Sequence, residues 1–199
     1  MEAHTKEYQL DLISAITNLR HNDIDTIATK LFEIKQKQKT VYVIGNGGSA
    51  ATPVHAAGDW SKSLEVKTLC LTDNIAAVTA FANDDSYGHI FEGQLKIFLN
   101  ESDLVIGFSG SGNSENVLRG IEYAKSKGVF TIGLTGNYKG QMGGKLSQLA
   151  DLAIVVNTQS MERIEDAHLI IVHMVKELFR AKYLRQTEIN KYFYGGNDE

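Results

Sequence analysis

Five short apolar runs separated by helical stretches predict an α/β fold: a doubly wound, mostly parallel five-stranded sheet with helices on both faces, preceded by an N-terminal helical hairpin. Three observations carry this. The runs at 41–44, 66–71, 104–108, 129–134 and 152–156 are mainly apolar and do not alternate, as expected of strands covered on both faces. The stretches between them place apolar residues at helical spacing. Three runs end in glycine-rich loops, GNGGS at 45–49, GSGNS at 110–114 and TGN at 135–137. Ligands of such sheets sit at the carboxyl ends of the strands, so these loops are expected to share one crevice.

Residues 3–38 read as two helices meeting near His21-Asn22. The first carries Tyr8, Leu12, Ala15, Ile16 and Leu19 at helical spacing, and the second Ile24, Ile27, Ala28 and Leu31. Asn22 is the expected N-cap of the second, with Asp23 and Asp25 in its first turn and lysines near its end to complement the dipole. After the first strand, Thr52-Pro53 is expected to cap and open a helix running to about Lys62. Thr72-Asp73-Asn74 caps a helix from Ile75 to Phe81. Asn83 to Ser86 opens another, with Ile90, Phe91, Leu95 and Phe98 inward. The helix after the third strand stops at Lys125, Lys127 and Gly128, a basic last turn followed by a C′ glycine. Residues 161–184 form the longest helix. The whole is read as one domain, 1–199: the hairpin to 39, the core and long helix over 40–185, and a loosely docked tail over 186–199.

Composition bounds the function. With 43% apolar and 22% charged residues, the chain has the makings of a packed core. Its net charge is −4 and its basic residues are dispersed, which argues against nucleic acid as a partner. No apolar run approaches a membrane span, and MEAHTKEYQLDL lacks the apolar stretch of a signal peptide, so a cytoplasmic protein is expected. Cys70 is the single cysteine and reads as a small core residue.

The chain is organised around Asp103–Gly120, where an apolar strand runs into Ser109-Gly110-Ser111-Gly112-Asn113-Ser114 and then a helix. Glycines let backbone N–H groups converge, the helix N-terminus adds unpaired donors and positive potential, and three serines add hydroxyls. That set suits a phosphate ester. No Gly-Lys-Ser/Thr ending follows, so no nucleotide is expected. Two further groups carry chemistry. His55 and Asp59 share a helix face at i and i+4, a spacing that fits acid/base partners, metal ligands or plain solvated surface. On the last helix, Ile164, His168, Ile171, Val175 and Leu178 make an apolar stripe that marks His168 as a core or interface residue. Glu165 and His173 fall on a different face, with Glu162 and Asp166 near the same side.

The chain resembles the sugar isomerase (SIS) domain family and, within it, the phosphoheptose isomerases, which convert sedoheptulose 7-phosphate to D-glycero-D-manno-heptose 7-phosphate. The resemblance rests on GNGGS at 45–49, His55, Asn83-Asp84, SGSGNS at 109–114, LTG at 134–136 and RIEDAHLIIVH at 163–173. It implies a homotetramer with active sites between subunits and, in many members, zinc. Matched residue by residue, it implies substrate binding by Asn46, Gly47, Gly48, Ser49, Asp84, Ser109, Gly110, Ser111 and Ser114. It implies metal binding by His55, Asp59, Glu165 and His173, with Asp59, His173 and Glu165 catalytic. Four positions depart from the family: Asp59 stands for a Glu, Glu165 for a Gln, Gly110 for a Thr and Thr52 for an Asp. The resemblance leaves two alternatives in view. One is an isomerase of a different phosphosugar. The other is a non-catalytic scaffold, like the relative that binds the bacterial replication initiator.

Overall fold

The computed structural model describes residues 2–184. Five strands, β1 (Val41–Gly45), β2 (Thr68–Cys70), β3 (Leu104–Phe108), β4 (Phe130–Gly136) and β5 (Leu152–Val156), form one sheet in the order β2-β1-β3-β4-β5. Every pairing is parallel; Val41, for example, lies opposite Thr68 on one side and Leu104 on the other. The helices are α1 (Glu2–Thr17), α2 (His21–Gln36), α3 (Ala51–Leu64), α4 (Ile75–Asp84), α5 (Ile90–Phe98), α6 (Glu115–Ser126), α7 (Leu146–Leu149) and α8 (Met161–Tyr183).

The absence of alternation in the strands is explained by two cores. Val41, Val43, Leu104, Ile106, Ile132 and Leu134 point to one face, where α2, α3 and α8 cover them. Tyr42, Ile44 and Val105 point to the other, beneath α5 and α6. Because both faces are covered, apolar side chains follow one another along the strands without alternation, with Thr68, Thr131 and Thr135 as buried exceptions. Trp60 on α3 is 1% exposed, and its indole N–H donates to the Val172 carbonyl of α8 at 3.4 Å. Burying an aromatic of that size contributes ~3–5 kcal/mol. It fixes α3 against α8, which matters because these two helices carry the histidines.

The chain leaves β1 toward β2 on one side and toward β3, β4 and β5 on the other, so the sheet changes direction between β1 and β3. The crevice that such a change opens lies at the carboxyl ends of those two strands. The loops that follow them are GNGGS and SGSGNS.

Several local expectations are corrected. Arg20, not Asn22, holds the cap position of α2, and its guanidinium pairs with Asp23 at 2.7 Å instead of leaving a side-chain cap to the helix. α1 and α2 are both laid against α8. Thr52 is not a cap either: a 3₁₀ turn over Gly47–Ala50 brings the chain into α3 already wound, so Thr52 and Pro53 lie buried inside its first turn. The second strand is only three residues long. α4 runs on to Asp84, and Ser86 instead precedes the 3₁₀ turn Tyr87–His89. Phe98 is 50% exposed because α5 ends there. The single turn of α7 had no periodicity to announce it. Asn74 does cap α4, accepting from the Ala77 N–H at 3.1 Å, and Gly128 follows α6 with φ +71°. The tail expected over 186–199 lies outside the described residues.

Candidate functional site

The serine loop is held from behind. Gly112 has φ +66°, and a Cβ there would come within 1.8 Å of the Gly143 carbonyl oxygen, so only glycine allows this approach. The Leu146 N–H donates to the Gly112 carbonyl at 2.9 Å. Asn113 donates to Gln141 Oε1 at 2.7 Å and accepts from the Lys145 N–H at 3.2 Å. These bonds tie the loop to the segment between β4 and α7. On its front, Ser109 Oγ donates to Ser114 Oγ at 3.0 Å, and Ser111 Oγ accepts from the Asn113 N–H at 3.2 Å. Ser114 sits at the cap position of α6 and makes no capping bond; the Val117 N–H donates to Asn116 Oδ1 at 2.8 Å, which leaves the Glu115 and Asn116 N–H groups available to an anion. Gly110 is backed by Met161, whose sulfur lies 2.3 Å from where a Cβ would be.

The first glycine loop meets the second and also meets α8. Asn46 donates from Nδ2 to Asn116 Oδ1 at 2.7 Å, joining the loops across the β1/β3 crevice. Ser49 Oγ donates to Glu165 Oε1 at 3.3 Å, and a Cβ on Gly48 would lie 2.3 Å from Glu165 Oε2. Glu165 therefore rests on Gly48 and Ser49. Gly47 has φ +57°, the left-handed conformation that turns the chain from strand into the 3₁₀ turn. Asp84, at the end of α4, accepts from Asn83 Nδ2 at 2.8 Å, and its described contacts join it to neither loop.

Two turns along α8 from Glu165, a second cluster forms. His55 Nε2 and His173 Nε2 are 2.9 Å apart, their rings edge to face at 80°. Asp59 Oδ2 lies 3.9 Å from His55 Nε2. Asp59 Oδ1 receives Lys176 Nζ at 2.7 Å and Ser63 Oγ at 3.3 Å. Asp59 Oδ2 is buried and has no hydrogen-bond partner. The candidate ligand atoms of His55, Asp59 and His173 fall within 4.8 Å of one another, and Glu165 is not among them. Two imidazole nitrogens and a carboxylate oxygen are a borderline donor set of the kind that zinc and similar dications take. The orphaned Asp59 oxygen, aimed at the histidines, is the observation that makes the fit. His173 also borders an open groove of about 810 Å³ between α2 and α8.

His168 belongs to neither group. It is 1% exposed, with Nε2 3.2 Å from the Thr135 carbonyl, and burial pushes its pKa down to about 4. Cys70 is likewise buried, its Sγ 3.0 Å from Thr72 Oγ1, and burial raises its thiol pKa. Sequence reasoning passed over Lys176, Asn116 and Met161. Lys176 follows His173 by one helical turn, which spacing alone reveals; that the turn faces Asp59 depends on how α3 meets α8.

The SIS domain profile matches residues 6–136. A phosphoheptose isomerase of Aneurinibacillus thermoaerophilus is 36% identical over 171 residues, covering 81% of this chain and 84% of that protein. One from Clostridium acetobutylicum is 35% identical over 169 residues, covering 80% and 84%. Among solved structures, a phosphoheptose isomerase from Neisseria gonorrhoeae superposes with a TM-score of 0.81 at 27% identity, covering 90% of this chain and 96% of that one. No helix among the described residues is long and apolar enough to cross a membrane. With its sheet order, its paired glycine loops and these relatives taken together, the chain belongs to the SIS domain family and, within it, to the isomerases of the phosphoheptose isomerase branch.

Proposed function

We propose that this protein interconverts the aldose and ketose forms of a phosphorylated sugar, with sedoheptulose 7-phosphate to D-glycero-D-manno-heptose 7-phosphate as the first choice of reaction. The observation that carries the reading is the meeting of His55, Asp59 and His173 two turns along α8 from the glycine loops. Eight residues from Glu165 to His173 span ~12 Å of helix. That length suits a long sugar chain with its phosphate at one end and its carbonyl at the other.

The phosphate is held by the hydroxyls of Ser109, Ser111 and Ser114 and by the N-terminus of α6. Asp59, or Glu165 where a dication occupies the free oxygen of Asp59, takes a proton from the carbon beside the carbonyl, and the carbonyl oxygen gains a proton to give a cis-enediol. His173 then delivers a proton to the former carbonyl carbon, while the neighbouring hydroxyl gives one up to become the new carbonyl. Zinc or another dication on His55, Asp59 and His173 would supply charge stabilisation for the developing oxyanion. The exposure of His55 and His173, the latter beside an open groove, supports a site completed by another subunit of a homotetramer.

The test is turnover of a panel of ketose and aldose phosphates followed by mass spectrometry, with and without chelator. Interconversion of the seven-carbon pair is the expected result. Turnover of another phosphosugar alone replaces the substrate and keeps the chemistry. A binding ligand at a hundred times its Kd stabilises a protein by ~2.7 kcal/mol. Absence of any turnover, with a melt unmoved by every phosphosugar, sinks the enzyme reading in favour of a scaffold.

A further inference from the structure

Lys176 is the charged residue of the cluster that the proposed chemistry does not use. A spacing of three places it on the same face of α8 as His173, and its ammonium sits 2.7 Å from Asp59 Oδ1. On the other helix, Ser63 follows Asp59 by one turn and donates to the same oxygen at 3.3 Å. Both donors therefore engage Oδ1. Oδ2 is left buried, unpartnered and 3.9 Å from His55 Nε2. The side chains of Lys176 and Asp59 are 21% and 14% exposed, so water and salt screen the pair poorly.

We propose that Lys176 is a positioning residue that turns one oxygen of Asp59 toward His55 and His173, and an internal cation that competes with a dication for that carboxylate. The inference rests on the metal reading of the same three residues. With Oδ1 engaged, Asp59 offers a single oxygen to the cluster. A dication on Oδ2 meets the Lys176 ammonium on the far side of one carboxylate group, and like charges at that separation repel strongly where solvent is scarce. The site therefore holds its metal more loosely than two histidines and a free carboxylate would.

Cobalt(II) and zinc(II) titrations of the full-length protein test this, the first by its d–d absorption and the second by competition with a chromogenic chelator. Lys176→Met removes the charge and the hydrogen bond; Lys176→Gln removes the charge and keeps a donor; Lys176→Arg keeps both. Melting curves establish that each variant folds. The expected result is at least tenfold tighter binding in the Met and Gln variants, with a changed cobalt spectrum in the Met variant, where Ser63 alone still donates to Oδ1, and near wild-type affinity for Arg. Metal bound by those two variants and not by the wild type supports the inference equally. Wild-type affinity in both, or weaker binding in both, overturns it and leaves the metal site standing. A Gln variant that matches wild type while Met tightens overturns the competition between charges. No binding by any of the four proteins overturns the inference and the metal reading together.

Discussion

His168 and His173 lie five positions apart on α8 and meet opposite surroundings. His168 faces the sheet, packs edge to face on Phe108, has Nε2 3.2 Å from the Thr135 carbonyl, and among the described residues leaves Nδ1 without a hydrogen-bond partner. Its neutral form is stable there and its charged form is not. The folded ring protonates at about 4, against 6.5 for the free group. The stability this ring contributes is whole above about pH 6.5 and is lost as the pH falls toward about 4, on the order of 3 kcal/mol in all. Melts of the wild type across that window should show an acid slope that His168→Leu reduces, although the variant starts from a lower baseline. His173 is exposed and points at His55. His173→Ala is expected to lower kcat by ~10²–10⁴-fold, the usual loss of a positioned acid/base group, while phosphosugar binding followed by thermal shift stays within a few-fold. The two fates were legible in the sequence, because His168 continues the stripe of Ile164, Ile171 and Val175 and His173 falls off it. The identity of His173's neighbours was not, since nothing local to α8 fixes which turn of α3 it meets.

Loops and caps differ in how much of them the sequence shows. Strand ends were readable to within a few residues because an apolar run stops where the chain leaves the sheet. The serine loop was readable because its residue types serve no purpose in a mere turn. Helix starts were less so. Thr52 resembles a cap in composition, yet the 3₁₀ turn ahead of it decides where α3 begins. Asn22 likewise has the side chain of a cap but lies inside α2. The brace behind the serine loop was invisible, because Gln141, Gly143 and Lys145 come from a segment with no period of its own. Gly112→Ala tests that brace. A side chain at φ +66° against the Gly143 carbonyl should cost more than ~1 kcal/mol and displace the loop. Its signature is a lowered Tm together with loss of the shift that a phosphosugar gives the wild type; a variant that melts lower yet keeps the shift would show that the brace is structural only.

At the scale of the whole molecule, the described surface carries more apolar side chains on its helices than packing within one chain requires. α4 reads IAAVTAFAND and has no fully buried residue; its Ile75 is 72% exposed. Leu10 on α1 is 58% exposed and Ile97 on α5 67%. The groove between α2 and α8 adds an apolar lining beside His173. Apolar faces distributed in this way fit a closed symmetric assembly. Light scattering at micromolar concentration should return four chains, and Ile75→Glu should lower that number if α4 lies in a contact. A wild-type monomer with full turnover would remove the shared-site part of the proposal. None of this was visible in periodicity, because an apolar helix face looks the same whether its cover is the same chain or another.

The sulfur behind Gly110 has a consequence for descent. Met161 occupies the volume that a β-carbon at 110 needs, and the two positions are fifty-one apart in the chain (161 minus 110). A side chain at 110 therefore requires the flexible end of Met161 to swing aside, and the room the thioether has to move decides what this loop tolerates. A shorter residue at 161 would remove that obstacle. What one position tolerates therefore depends on the residue at the other. Gly110→Thr alone should destabilise the protein, and Met161→Ala should lessen that penalty in the double variant. Additive losses in the four-protein thermodynamic cycle would show that the two positions evolve independently.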